Sequence, residues 1–425
     1  MLKKILISLG IAAAVMLLLW AGLTQFGTWR AAPPHKGITA LVNGNFLTMA
    51  GDAPEIIRDQ VLLIEDAGIR GFFSGDAVPD GARIIDLNGG YAMPGLFDLH
   101  VHFGGMPFAD GRSFAGMMVQ FFRGYPDARR QFLAHGVTSV TSLGDSYPQI
   151  LEMRDRVAAG KLEGPRIRAA GPMLTSPGGH PVSTIFANNP WAAETNAREP
   201  DTPEEARAEV DRLAAGGVDL IKAIYTAGHR DQLPRMEQRV LEAIADQARF
   251  HGLQLVVHTD TRHDVEGALQ AGADGLEHLV WLLSSDTTGT FDRLAALQTP
   301  VVPTLGVMFR SLNEAQRQAV LGEFRRQHEA GIPMFMGTDA GNLPAGSSLY
   351  DELRLFTQGG LSPWQALQSA TIKAAEHAGV AGHLGSLEAG KLADIIVFPV
   401  NPLENLAELP RPELVFLGGK RIRTD

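Results

Sequence analysis

The sequence contains no cysteine. That one absence excludes disulfides, thiolate metal sites, a cysteine nucleophile and a diacylated lipoprotein anchor. Any bound metal must be held by nitrogen and oxygen. Lysine and arginine never gather into a block, and the net charge is −10 over 425 residues. Nucleic acid is therefore not expected as a partner. Phosphate-cradling loops are also missing, since the glycine pairs Gly104-Gly105 and Gly178-Gly179 lack a P-loop pattern. What is present is a hydrophobic content of 45% against 20% charged residues. This composition supplies a large buried core, and the length suits a barrel plus an accessory unit.

The first 30 residues differ from the rest. Lys3 and Lys4 precede an uncharged, mostly apolar run from Ile5 to Gly27, and Arg30 follows. Such a run is long enough to span the roughly 30 Å of bilayer hydrocarbon as a helix. It also has the layout of a secretory signal, basic and then apolar. The exit Thr28-Trp29-Arg30-Ala31-Ala32 is a poor cleavage site, which favours retention as an anchor. Two lysines before the run keep the start of the chain on the cytoplasmic side. The expectation is an exported protein, anchored in the inner membrane with its catalytic part periplasmic or extracellular, or else secreted after cleavage. Ala31-Ala32-Pro33-Pro34 reads as a short stiff linker.

From Gly37 to Ile85 the texture is short and β-like, with turns at Asn43-Gly44 and Asp80-Gly81. From Tyr91 to about His383, apolar strands alternate with helices. The strand before His100, those starting at Val137, Arg166, Val218, Gln254, Gly275 and Val301, and the one over Met334 to Gly337 make eight in α/β order. This order predicts a (β/α)8 TIM-like barrel. After His383 the β texture returns. The expected organisation is an N-terminal hydrophobic helix over residues 1–30, a β-region over 31–92, a barrel over 93–384 and a second β-region over 385–425. The two β-regions are expected to form one small β-sandwich from both flanks of the barrel.

The apolar run Tyr91-Ala-Met-Pro-Gly-Leu-Phe-Asp-Leu-His-Val-His ends in His100 and His102. On a strand, residues i and i+2 point to one face, so both imidazoles aim the same way. Alone, such a pair is weak evidence. Lys222, His258, His278 and Asp339 also sit at the ends of predicted strands. In a barrel those ends face the active site. Imidazole and carboxylate suit a borderline divalent ion such as zinc. A metal would stabilise hydroxide, and Asp339 could take and return a proton. An ammonium at Lys222 is electrostatically misplaced in a cation-rich site; a carbamate, anionic and bridging two metals, fits. His180 and Tyr225 lie where they could contact a substrate.

These motifs resemble the amidohydrolase superfamily. The matching residues are Pro94-Gly-Leu-Phe-Asp-Leu-His-Val-His, Ile221-Lys222, Val257-His258, Glu277-His278, Gly337-Thr-Asp339-Ala-Gly and Ser386-Leu-Glu-Ala-Gly-Lys-Leu-Ala-Asp394-Ile. The chain is most similar to the branch of imidazolonepropionase-like and Xaa-Pro-dipeptidase-like hydrolases. That resemblance implies two divalent ions, most simply zinc. It assigns His100, His102 and Asp339 to one ion and His258 and His278 to the other, with carboxylated Lys222 as the bridge. Lys222 favours the binuclear dipeptidase-like group over one-metal imidazolonepropionases. The run Ala223-Ile-Tyr-Thr-Ala-Gly departs from the Ser-Gly-Gly-like run expected after the lysine, which leaves the substrate open. The resemblance implies cleavage of an amide bond in a dipeptide or N-acyl amino acid. The alternatives are a cyclic amidase or lactonase of the imidazolonepropionase type, and a membrane-tethered binding barrel without catalysis. A homo-oligomer stays open.

Overall fold

The computed structural model describes residues 36–103, 124–228, 232–278 and 288–422. The expected anchor and the Gly104-Gly105 pair lie outside the described residues. Among the described residues, no helix is long and apolar enough to cross a membrane.

The two flanks of the chain do build a β-unit together. A four-stranded sheet comes from the N-terminal flank alone. It includes Ile38–Val42 and Val61–Glu65, antiparallel to each other. A six-stranded sheet is shared between the flanks. In it Ile395–Phe398 runs antiparallel to Tyr91–Pro94, which in turn pairs with Asn45–Leu47. Leu41, Leu62 and Ile64 of the first sheet pack with Phe46, Ile395, Val397 and Phe416 of the second in one buried cluster. This is the face-to-face packing of a sandwich.

The middle of the chain is α/β. Its strands are parallel and buried on both faces, so they read as continuous apolar runs rather than alternating ones. Leu220–Ile224 is buried at every position. The covering helices begin and end on local signals. Thr202 caps Pro203–Gly216 by accepting from the Glu205 amide, and Gly217 ends that helix in the left-handed region at φ 83°. Asn313 and Gln316 form a reciprocal cap on Glu314–Glu329. Helix Gln238–Phe250 buries Val240, Leu241, Ile244 and Ala248 against the core, a helical spacing.

The expected ring of eight strands is present only in part among the described residues. The parallel strands form two sheets. One holds Leu96–Val101, Val137–Ser142 and Arg166–Ala169. The other contains Leu220–Ile224, Gln254–His258, Gly275–Glu277 and Val301–Val302. Short strands Met173–Leu174 and Ala197–Arg198, which the sequence did not suggest, extend the second sheet at the Leu220–Ile224 edge. Isolated backbone bonds join the sheets: Asp219 N donates to Ala169 O, and Leu99 N to Met336 O, each at 2.9 Å. A continuous strand ladder around the ring is not present among the described residues.

The seventh strand, expected over Val301 to Leu305, stops at Val302, and a helix starts at Leu305. The eighth is reduced to a bridge between Val301 and Met334. The segment after Met334 passes close to the first strand, with Asp339 N donating to His100 O at 2.8 Å. A Cβ on Gly337 would fall 2.3 Å from Val302 Cγ1 and 3.0 Å from His100 Cβ, so only glycine fits this crossing.

Candidate metal centre

His100 lies on Leu96–Val101 and His102 just beyond it. Their rings stand edge to face, 5.4 Å between centroids. Both side chains are buried. Beneath them Asp98 is fully buried and ties the first strand to the segment that carries Asp339. Its carboxyl accepts from Thr338 N at 2.9 Å, Thr338 Oγ1 at 2.6 Å and His100 N at 3.3 Å. Burial pushes this carboxyl up to about 7, against the hydrogen bonds from Thr338. Asp339 N donates to His100 O at 2.8 Å, which sets Asp339 beside the histidine pair.

Asp339 adopts φ 56°, a left-handed conformation that is uncommon outside glycine and concentrates at functional sites. Its Oδ1 lies 3.3 Å from His102 Nε2 and 3.8 Å from His100 Nε2. Its Oδ2 accepts from Asn342 Nδ2 at 3.0 Å. Burial opposes its ionisation. The His102 hydrogen bond and the nearby histidines outweigh that and hold the carboxyl well below the usual range.

His258 ends Gln254–His258, and His278 follows Gly275–Glu277. Their rings are 4.3 Å apart, and the His278 ring is 5.0 Å from that of His100. His278 also has positive φ, at 71°. Burial, then neighbouring cations, lowers His100 and His278 well below the ordinary histidine value. Both are therefore neutral imidazoles, the form that ligates metals. One ligand atom each from His100, His278 and Asp339 lie within 4.8 Å of one another, so this group could hold a metal ion.

Lys222 sits in the middle of Leu220–Ile224 rather than at its end, and is buried. Its Nζ has no hydrogen-bond partner. Burial lowers its pKa to about 8, although Glu277 and Asp339 favour the charged form. An ammonium orphaned among imidazoles is unfavourable. This donor set fits a metal centre: the neutral imidazoles of His100 and His278, one ionised carboxylate, and an unpartnered amine.

The structure brings His100, His102, Lys222, His258, His278 and Asp339 together. His180 joins them from its loop, with its ring 5.1 Å from that of His258. Its Nδ1 is 2.7 Å from Thr184 Oγ1, and burial lowers its pKa to about 3. Tyr225 is not brought in as expected. Its hydroxyl donates to Gln238 Oε1 at 2.8 Å, between two helices. Packing against Gly267 and Gln238 takes the ring.

Several contributing residues escaped the sequence reading. Glu277 Oε2 is 2.6 Å from His100 Nδ1. Asp260 Oδ2 is 3.3 Å from His258 Nε2 and accepts from Thr226 Oγ1 at 2.8 Å. Thr304 Oγ1 is 2.7 Å from His278 Nδ1. The available signal for Glu277 was an acid inside an apolar strand, next to a candidate ligand. Thr304 had no signal.

A model of the amidohydrolase family matches residues 91–422. The chain belongs to the amidohydrolase family. Ochratoxinase from Aspergillus niger is 25% identical over 366 residues, covering 77% of this chain and 75% of that protein. Imidazolonepropionase from Brevibacillus brevis is 25% identical over 352 residues, covering 75% and 77%. Among solved structures, a Xaa-Pro dipeptidase with methionine bound in its active site superposes with a TM-score of 0.77 at 26% identity. The match covers 91% of this chain and 100% of that one. The α/β fold is that of these TIM-barrel hydrolases, and the relatives named are hydrolases of carbon–nitrogen bonds.

Proposed function

We propose that this amidohydrolase is a binuclear metal enzyme that hydrolyses an amide bond in a dipeptide or N-acyl amino acid. The observation that carries the reading is Lys222, buried, without a partner at Nζ and near enough to His100 and His278 to disfavour their charged forms. Reaction with carbon dioxide would convert it to a carbamate, whose oxygens would supply the anionic bridge that the site lacks. In this reading His100, His102 and Asp339 hold one ion and His258 and His278 the other, zinc being the natural choice for such donors. The two parallel sheets that carry these residues would then be parts of the eight-stranded cylinder of the family.

The ions, when bound, promote loss of a proton from water near neutral pH and polarise the scissile carbonyl. The chain's own residues do the rest. Asp339, ionised at neutral pH, accepts a proton from the attacking water and passes it to the departing nitrogen. A carbon–oxygen bond forms and the carbon–nitrogen bond breaks, leaving a carboxylic acid and an amine. Asn342 on Oδ2 orients Asp339 for both transfers. His180, neutral beside His258, contacts the substrate. Two divalent ions held by neutral imidazoles would favour a substrate bearing a carboxylate.

A second reading, opening of a cyclic amide, is supported by the relative named imidazolonepropionase. Zinc-loaded full-length protein tested on dipeptides, N-acyl amino acids and cyclic amides separates the two. Turnover of the linear substrates is expected. Turnover of cyclic amides alone would reverse the order. We also propose that residues 1–30 anchor the enzyme to the membrane, on the strength of Lys3, Lys4 and the apolar run that follows.

A further inference from the structure

Thr304 is fully buried and sits at φ 47°, ψ 48°. A β-branched residue in the left-handed region is a genuine outlier. It persists only where the surroundings over-determine it. Two features do so here. On the N-terminal side, Val301–Val302 is paired to the strand that ends in Glu277. On the C-terminal side, Glu352 of helix Ser347–Gln358 clamps the next two amides. Leu305 N donates to Glu352 Oε1 at 2.7 Å and Gly306 N to Oε2 at 2.8 Å. A Cβ at Gly306 would stand 3.3 Å from Glu352 Oε2 and 3.2 Å from Leu343 Cδ1, so the residue's smallness lets the carboxylate close in.

The strained turn has one visible consequence. It aims Thr304 Oγ1 at His278 Nδ1, 2.7 Å away. The other end of His278 is set by its backbone, whose N–H donates to Val302 O at 2.8 Å. An Nδ1–H given to a hydroxyl leaves the lone pair on Nε2, the nitrogen free for a metal. An ordinary extended or helical residue at 304 would send its side chain elsewhere.

We propose that Thr304 and Glu352 are positioning residues that fix the ring orientation of His278, the Thr304 hydroxyl accepting Nδ1–H when Nε2 holds a metal. Glu352 acts at one remove, by holding the turn that keeps the Thr304 hydroxyl on the imidazole. The inference rests on the reading of His278 as a metal ligand.

The test is zinc affinity of full-length protein by chelator competition, with melting temperature measured on the metal-free form. Thr304→Val keeps the shape and removes the hydroxyl. It should weaken one zinc site by about 10- to 100-fold, the usual effect of losing such a partner, and lower kcat more than KM. Thr304→Ser should restore affinity close to wild type. Glu352→Ala should behave like Thr304→Val, with Glu352→Gln between it and wild type. If Thr304→Val does not fold, Thr304→Ala against Thr304→Ser gives the same comparison. A folded hydroxyl-free variant with wild-type affinity overturns the proposal, as does a serine variant as weak as valine. Wild-type protein that binds no zinc overturns the metal reading itself, and the positioning role with it.

Discussion

The Nδ1 of His100 and the Oε2 of Glu277 lie 2.6 Å apart, both fully enclosed, and they come from strands 177 positions apart in the chain. Burial pushes the Glu277 carboxyl up to about 7, while Lys222 pulls it down. As a carboxylate it accepts from Nδ1–H and leaves His100 Nε2 directed toward Asp339, 3.8 Å away. Histidine ligands oriented by a carboxylate in this way lose about 10- to 100-fold in metal affinity when the partner is removed. Glu277→Ala should show that loss, and Glu277→Gln, which keeps an accepting oxygen, a smaller one. Equal affinity in wild type and Glu277→Ala, measured by chelator competition, would show that packing alone orients His100.

Asp339 is the proposed proton carrier. Asp339→Asn should lower turnover by at least about 100-fold, the scale of a general acid–base contribution. Metal content must be followed in the same samples, because the residue is also a proposed ligand. A metal-replete variant with near-normal turnover would assign proton transfer to another group.

Two divalent ions per chain are expected, since six donors exceed one tetrahedral site. Elemental analysis of protein produced with zinc and bicarbonate should give about two. Lys222→Ala should lower that number and abolish any dependence on bicarbonate. A value near one that Lys222→Ala leaves unchanged would point to the one-metal reading.

His377 provides a stability test outside the proposed ligands. Burial, its largest influence, lowers its pKa to about 4 from 6.5, although Glu277 favours the charged form. The folded state therefore binds fewer protons than the unfolded state between those values, so stability rises with pH across the window. Its contribution is complete above about 6.5 and fades as the pH falls through 4. At 1.4 kcal/mol per unit this amounts to no more than about 3.5 kcal/mol. His377→Gln should flatten that part of the stability curve in denaturant titrations of metal-free protein. Identical pH slopes in both proteins would refute the assignment.

Membrane attachment is expected from Lys3, Lys4 and the uncharged run after them. Full-length protein should fractionate with membranes, resist alkaline carbonate and face the periplasm or cell exterior. A soluble form whose N-terminal sequence begins near Ala31 would instead establish a cleaved signal.

The sequence by itself determined whatever depends on local periodicity and local chemistry. The two-residue spacing of His100 and His102 needs only a strand to aim both rings one way. Thr202, Asn313 and Gly217 mark helix ends because their own side chains, or the lack of one, satisfy the terminal backbone groups. Leu220–Ile224 announced itself as an apolar run broken by a single charged residue, which is how Lys222 became visible, and Asp339 showed as the charge that ends the run from Met334. The absence of cysteine settled the donor chemistry.

Tertiary structure decided what depends on contacts between distant segments. Asp339 faces His102 because its backbone turns left-handed where Gly337 crosses His100, and this shortens the expected eighth strand to a bridge. Tyr225 points between helices because Gln238 captures its hydroxyl, a partner no local pattern specifies. Glu277 on His100 and Thr304 on His278 are pairings across strands. Short-range sequence constrains which way a side chain leaves its strand. Which group it meets there is set by the register and approach of neighbouring strands, and those follow from the packing of the whole chain.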